Sequence, residues 1–175
     1  MPSTITHRNL PQLLLKAREA LLVHFRIILN HFGLTDQQWR IVRSLEENGA
    51  MEPNQLCQSC QILSPSMAGV LARMQTMGLI ARQRAVHDQR RAIIRLTPRG
   101  QELYGRIAPL VETQYQLIEQ AIGHELIDQT YAQIDRLLDA SLDRIPGVEL
   151  PAVDDSLPKA GRREKGHRPT PDMQE

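Results

Sequence analysis

An excess of arginine marks residues 73–99. Seven arginines lie in this segment against a single acidic residue, Asp88, whereas residues 101–144 carry eight acidic residues against three arginines. The seven are Arg73, Arg82, Arg84, Arg90, Arg91, Arg95 and Arg99. Guanidinium groups bind phosphate through charge and paired N–H donors, and a cluster of one sign within a chain of net charge +1 is typical of a surface that binds a polyanion. The segment predicts a nucleic-acid contact, with an ordinary solvated face as the alternative.

A helix that presents small residues is predicted at the start of this region. Ser64 and Pro65 are predicted as its N-cap and first residue, and it stops before Gly78. Spacings of three and four place Met67, Val70, Leu71 and Met74 on the core side. The outward residues are then Ser64, Ser66, Gly69 and Arg73. Small residues let a helix approach base edges, and Arg73 can donate to guanine or phosphate; the alternative for Arg73 is a solvated helix arginine.

Two short strands, 79–86 and 92–96, are predicted to follow, joined by the loop 87–91. The loop carries Asp88, Arg90 and Arg91 as candidate DNA contacts. Asp88 is close enough in sequence to orient the Arg90 guanidinium for a narrow minor groove; the alternative is a surface ion pair. A helix followed at once by a cationic hairpin is the layout of a winged helix-turn-helix DNA reader.

Further helices surround this unit. They are predicted at about 10–31, at 35–47 with Thr35 and Gln38 as a capping box, at 53–59, at 98–122 with a bend at Pro109, and at 125–144. We therefore expect a mainly α fold with a small β-hairpin wing. Its parts are an N-terminal dimerisation helix (1–34), a winged helix-turn-helix DNA-binding domain (35–97), C-terminal dimerisation helices (98–145) and a disordered tail (146–175).

The terminal helices carry wide apolar faces. The last helix has a stripe that we expect to be buried, formed by Ile127, Tyr131, Ile134, Leu138, Leu142 and Ile145. A second copy of the chain would cover such faces, so we expect a homodimer on double-stranded DNA with a pseudo-palindromic operator. No signal peptide and no run long enough for a membrane span are present, which predicts a cytoplasmic protein without membrane contact.

One motif carries a family resemblance. It is Asp88-x-Arg90-x-x-x-Ile94-x-Leu96-Thr97-x-x-Gly100, preceded by Gly78-Leu79-Ile80-x-Arg82. The motif resembles the wing signature of the MarR family of winged helix-turn-helix regulators, and segments 16–20, 25–26 and 33–40 resemble its subgroup that regulates homoprotocatechuate degradation. The resemblance implies a homodimeric repressor of genes for aromatic compounds, released from DNA by a small aromatic acid. The tail beyond Pro146 and the internal Pro109 depart from the family pattern.

An aromatic carboxylate would need a cation and apolar or aromatic walls. Arg18 with Trp39 is the first choice for such an effector site. The other candidates are His7, His24, Arg40 and Arg43. The alternative places Trp39 in the core and Arg18 in an ion pair between subunits.

Other functions find less support in the sequence. Cys57 and Cys60 lack the further ligands that zinc requires, so we expect small apolar thiols, no metal and no cofactor; a redox-responsive regulator remains an alternative. No catalytic set appears at a recognisable spacing, so we expect no enzyme. A helical interaction module that does not bind DNA is a further alternative, but it leaves the arginine-rich hairpin unexplained.

Overall fold

The structure, a computed structural model, describes residues 5–84, 92–140 and 144–150. The chain divides into two compact units, Met1–Tyr131 and Ala132–Glu175. Within the described residues the helices are α1 (Leu10–His31), α2 (Asp36–Asn48), α3 (Pro53–Cys60), α4 (Ser64–Thr76), α5 (Pro98–Ile122) and α6 (His124–Asp139), and the strands are β1 (Ile80–Arg84) and β2 (Ala92–Leu96). None of these helices is long and apolar enough to cross a membrane.

The capping box at the start of α2 forms as predicted. The backbone N–H of Gln38 donates to Thr35 Oγ1, and the Gln38 side-chain oxygen accepts from the backbone N–H of Thr35. Two donors that a helix start leaves unpaired are thereby satisfied. Gly33, with a φ of 70°, makes the turn that separates α1 from α2.

The core of the first unit lies where α1, α2, α3, α4 and α5 meet the strands. Its fully buried members include Leu29, Ile41, Leu56, Met74 and Ile107. β1 and β2 pair antiparallel, with Ile80 opposite Leu96 and Arg84 opposite Ala92. The wing strands are therefore anchored to the helices through one buried face.

A close contact holds the base of the wing against α5. Thr97 donates its backbone N–H to the Leu79 carbonyl at 3.0 Å and its hydroxyl to the Gly78 carbonyl at 2.6 Å. Thr97 Oγ1 also accepts from the backbone N–H of Gly100 at 3.1 Å, in the first turn of α5. A Cβ atom on Gly100 would lie 2.2 Å from the Leu79 oxygen. This junction accepts only glycine at position 100.

Two expectations need correction, and a third stays a prediction. The N-cap of α4 is Leu63, not Ser64, and it has no side-chain cap, because the helix already includes Ser64 and places proline at its second position. α6 ends at Asp139 instead of 144. The apolar stripe of α6, which a second copy is expected to cover, is largely exposed in the single chain, with Tyr131 54% and Leu138 70% exposed, so its burial in a dimer stays a prediction.

Several predicted features lie outside the described residues. They are residues 85–86 of the first predicted strand, the wing-loop candidates Asp88, Arg90 and Arg91, the stripe residue Leu142, and most of the tail. Pro109 lies inside a continuous α5, and the bend expected there stays a prediction.

Candidate nucleic-acid interface and inter-helix cavity

The two faces of α4 divide as predicted. Met67, Val70, Leu71 and Met74 are all buried. Ser64, Ser66, Gly69 and Arg73 are all exposed. The helix thus presents one cation and three small residues to solvent, and its packing leaves this face free to enter a groove of DNA.

Gly69 occupies an exposed mid-helix position that does not require glycine for the fold. Its φ is not positive, and the nearest atom to an added Cβ would be Arg73 Nη1 at 3.6 Å, an ordinary contact. Glycine in a helix interior costs about 1 kcal/mol relative to alanine. Gly69 therefore lowers the free energy of unfolding, and it does so at the position of α4 that the Arg73 guanidinium covers.

We predict opposite effects of Gly69→Ala on stability and on DNA binding. The free energy of unfolding should rise by up to about 1 kcal/mol, because alanine favours the helix. Operator affinity should fall about tenfold, equivalent to about 1.4 kcal/mol, because the methyl group holds the backbone away from the base edges. Thermal unfolding and fluorescence anisotropy with a labelled operator measure the two quantities.

Gly105→Ala is the matched control for this prediction. Gly105 is an exposed glycine within α5, and nothing lies within 4 Å of an added Cβ. This variant should gain similar stability while it keeps operator affinity. If Gly69→Ala binds the operator as tightly as the wild type, the backbone of α4 does not approach DNA at Gly69.

A groove of about 210 Å³ is lined by residues of α3, α4 and both wing strands. Ser64 and Gln75 of α4 lie on one side, and Arg82 of β1 lies on the other. The sequence placed Arg82 on the first wing strand but not at a groove, and it missed Gln75, because neither residue type indicates by itself which helix the strand will pack beside. The exposed side chains of Arg73, Arg82, Arg95 and Arg99 give this part of the molecule its cationic surface.

Four of the six predicted effector residues meet at one cavity. This cavity, of about 180 Å³, lies between α1, α2 and α5 and is called here the inter-helix cavity. Its lining comprises Arg18, Leu22, Phe25, Leu29, Asp36, Trp39, Arg40, Arg43, Val111 and Tyr115. A second cavity, of about 390 Å³, adjoins it and shares Trp39, Arg43, Val111 and Tyr115. His7 and His24 are exposed and line neither cavity.

The three arginines of the inter-helix cavity differ in their partners. Arg18 pairs with Glu19 and, at 3.0 Å, with Asp36. Arg40 lies 3.6 Å from Asp36 and also donates to the Cys60 carbonyl. Arg43 pairs with Glu47 at 2.6 Å, and this hydrogen bond, with a further contribution from Tyr115, raises the pKa of Arg43.

Aromatic residues are concentrated around the same two cavities. The chain has only six Phe, Trp and Tyr residues, and four of them line these cavities. They are Phe25, Trp39, Tyr104 and Tyr115. Trp39 stacks on Tyr104 with ring centroids 5.6 Å apart, and Phe25 contacts Tyr115 at 4.6 Å. Sequence reasoning missed Phe25, Tyr104 and Tyr115, and the rarity of aromatic residues was the signal that could have found them.

The two cysteines are free thiols of unequal exposure. Cys60 is buried, and burial raises the pKa of its thiol, whereas Cys57 is partly exposed. A raised pKa disfavours the thiolate form that metal binding and oxidation require. Among the described residues no group of three or more His, Cys, Asp or Glu could hold a metal ion. The redox-responsive alternative thus gains no support from Cys60.

Comparison with known proteins places this geometry in a family. Residues 32–91 match the MarR family. The HTH-type transcriptional regulator FarR of Neisseria gonorrhoeae is 40% identical over 143 residues, which cover 80% of this chain and 98% of FarR. The homoprotocatechuate degradative operon repressor of Escherichia coli is 42% identical over 123 residues, which cover 70% of this chain and 83% of that repressor. NadR, whose crystal structure was solved in complex with 4-hydroxyphenylacetate, is 38% identical to this chain in sequence. The two structures superpose with a TM-score of 0.68 over 80% of this chain and 99% of NadR.

The chain belongs to the MarR family of transcriptional regulators. It is a sequence-specific DNA-binding regulator with a mainly α fold and a two-stranded wing, which confirms the predicted fold class and the family resemblance. The relatives also favour this interpretation over a helical module that does not bind DNA.

Proposed function

We propose that this regulator is a cytoplasmic, non-enzymatic repressor of an operon for aromatic-compound catabolism, and that a small hydroxylated aromatic carboxylic acid releases it from its operator. The observation that carries the proposal is the inter-helix cavity, where three arginines and three of the six aromatic residues converge. The catabolic repressor and the 4-hydroxyphenylacetate-bound NadR among its relatives support the same class of effector.

The charges around the inter-helix cavity favour an anion. The lining itself has three guanidinium groups and one carboxylate, Asp36, while Glu19 and Glu47 pair with Arg18 and Arg43 from outside the lining. Arg18 is engaged by two carboxylates, whereas Arg43 has one acidic partner and lines both cavities. Arg43 is therefore the cation that holds the effector carboxylate, and Arg18 stays paired with Asp36. The Asp36 carboxylate is an acceptor suited to a ring hydroxyl.

The walls and the size of the cavity favour a single ring. Trp39 and Tyr115 offer aromatic surfaces, and Leu22 and Leu29 offer apolar ones. Pockets for drug-sized ligands begin at about 300 Å³. A cavity of about 180 Å³ suits a smaller molecule such as a hydroxyphenylacetate or a hydroxylated pyridine carboxylate.

The operator-bound form is proposed to be a homodimer. α1 leaves Leu10, Leu14, Leu15, Leu21, Val23 and Ile27 exposed. On α6 the exposed apolar residues are Leu126, Tyr131, Ile134 and Leu138. Monomeric proteins rarely expose apolar surfaces of this extent, so a second copy is the partner of suitable shape and chemistry. Such a dimer presents two copies of α4 to half-sites about 34–36 Å apart on one DNA duplex.

The unique Trp39 provides a direct test of effector binding. Its fluorescence should respond to 4-hydroxyphenylacetate, and the same titration should release a labelled operator selected from a random duplex library. We predict that Arg43→Ala raises the ligand concentration for half-maximal response about 10- to 100-fold, because a charged hydrogen bond contributes about 1.5–3 kcal/mol.

Arg106→Ala is the matched control for that variant. Arg106 lies on α5, where it stacks on Phe32 away from both cavities, so its loss should leave the ligand response intact. If Arg18→Ala shifts the response while Arg43→Ala does not, Arg18 holds the carboxylate, as the sequence first suggested. If a panel of such acids changes neither Trp39 fluorescence nor operator binding, the cavity is not an effector site.

A further inference from the structure

The first turn of α2 contacts both the inter-helix cavity and the DNA-reading helices. Asp36, Trp39 and Arg40 line the cavity. In the same turn, the Gln38 side-chain amide donates to the Met77 sulfur at 3.5 Å, at the C-terminal end of α4. Arg40 donates to the backbone carbonyl of Cys60, the last residue of α3. A change in the cavity can therefore reach both helices of the reading unit through one turn of α2 and a single hydrogen bond to each helix.

Arg40 has donors that are only partly used. One terminal nitrogen binds the Cys60 carbonyl and the other lies 3.6 Å from Asp36, which Arg18 holds more closely at 3.0 Å. Its Nε is buried and has no hydrogen-bond partner among the described residues. A buried donor without a partner is costly, so this donor would gain from an acceptor brought within its reach.

The carbonyl that Arg40 holds lies next to a strained turn. Cys60 is followed by Gln61, whose φ of 49° is in the left-handed region. After Gln61 come a buried Ile62 and the N-cap Leu63, and α4 begins at Ser64. A cation at a helix C-terminus satisfies carbonyls that the helix leaves unpaired. Only three residues separate α3 from α4, so a shift of the Cys60 carbonyl moves the start of α4 as well.

We propose that Arg40 is the positioning residue that couples effector binding to DNA release. An acceptor oxygen of the bound acid takes the free Nε–H, the guanidinium rotates toward the cavity, and its hydrogen bond to the Cys60 carbonyl is lost. The end of α3 then shifts together with the start of α4. This coupling rests on the proposed function, because it requires an anionic effector in the inter-helix cavity.

The test separates ligand binding from its effect on DNA. Trp39 fluorescence measures binding of 4-hydroxyphenylacetate, and operator anisotropy is measured without ligand and at saturation. The ratio of the two operator dissociation constants is a coupling factor that does not depend on how tightly the ligand binds. For Arg40→Gln, which lacks the cationic fork, the coupling factor should fall at least about tenfold. Arg40→Lys, which restores a cation, should recover part of it.

Arg43→Lys is the matched control, since Arg43 lines the same cavity, and its ion pair with Glu47 lies within α2 rather than at α3 or α4. It should need more ligand yet reach the wild-type coupling factor at saturation. An unchanged coupling factor in Arg40→Gln, or an equal loss in Arg43→Lys, overturns the role of Arg40. Circular dichroism checks that each variant is folded. If Arg40→Gln does not fold, the test rests on Arg40→Lys, whose coupling factor must then be lower than that of the wild type. A wild-type protein whose Trp39 does not respond to the acid overturns the proposed function and this coupling together.

Discussion

Gly100→Ala is expected to lower the free energy of unfolding by about 3 kcal/mol, at the upper end of the usual cost of overpacking. The added methyl group would lie 2.2 Å from the Leu79 carbonyl oxygen and 3.1 Å from Leu96 Cδ2. The carbonyl cannot withdraw freely, because Thr97 donates to it at 3.0 Å. The base of the wing must therefore separate from α5. Thermal unfolding should show a midpoint lower by about 10 °C.

Gly105→Ala, one and a half turns further along α5, is again the control. An added Cβ at Gly105 meets nothing within 4 Å, so helix propensity alone acts there. That variant should be as stable as the wild type or slightly more stable. Equal melting temperatures for Gly100→Ala and Gly105→Ala would show that the wing and α5 are not packed as closely as the structure has them.

Leu138→Glu is expected to abolish the proposed dimer and to weaken binding to a two-half-site operator by about 100-fold or more, the usual gain from joining two binding modules. Leu138 is 70% exposed in the single chain and lies on the apolar stripe of α6. In the dimer a glutamate there would be buried without a partner, which is strongly unfavourable. Light scattering measures the mass, and anisotropy with one-half-site and two-half-site duplexes measures the loss of paired binding.

Gln133→Glu is the matched control for Leu138→Glu, because it adds the same negative charge to α6 at a position outside the apolar stripe. It should remain dimeric and bind both duplexes normally. A Leu138→Glu protein that still has the mass of a dimer would place the subunit contact on other residues. A monomer that still distinguishes the two duplexes would show that dimerisation is not what reads the two half-sites.

Local sequence signals predicted the helices well. The capping box of Thr35 and Gln38 formed because both of its hydrogen bonds lie within four residues and need no distant partner. The core face of α4 followed from spacing alone, because helical geometry fixes which side chains share a face. The predicted start of α4 was wrong by one residue, because Ser64 is the first helical residue and not the N-cap. A serine suits either position, and the preceding turn decides between them.

The inter-helix cavity was only partly predictable, because its walls come from helices far apart in sequence. Arg18, Trp39, Arg40 and Arg43 were chosen for their chemistry and because the resembled fold brings their segments toward one crevice, and all four line the cavity. Tyr115 is supplied by α5, more than seventy positions after Trp39, and only the packing of α1 and α2 against α5 brings it there. His7 and His24 had suitable chemistry, but their positions direct them to solvent.

The three-helix construction of the cavity has a practical consequence for finding the effector. A molecule bound between α1, α2 and α5 contacts segments that separate when the chain unfolds, so it stabilises the folded state by mass action. At a concentration one hundred times its dissociation constant, the gain is about 2.7 kcal/mol. A thermal-shift screen of metabolites against the purified protein can therefore identify the natural effector before any operator sequence or target gene is known.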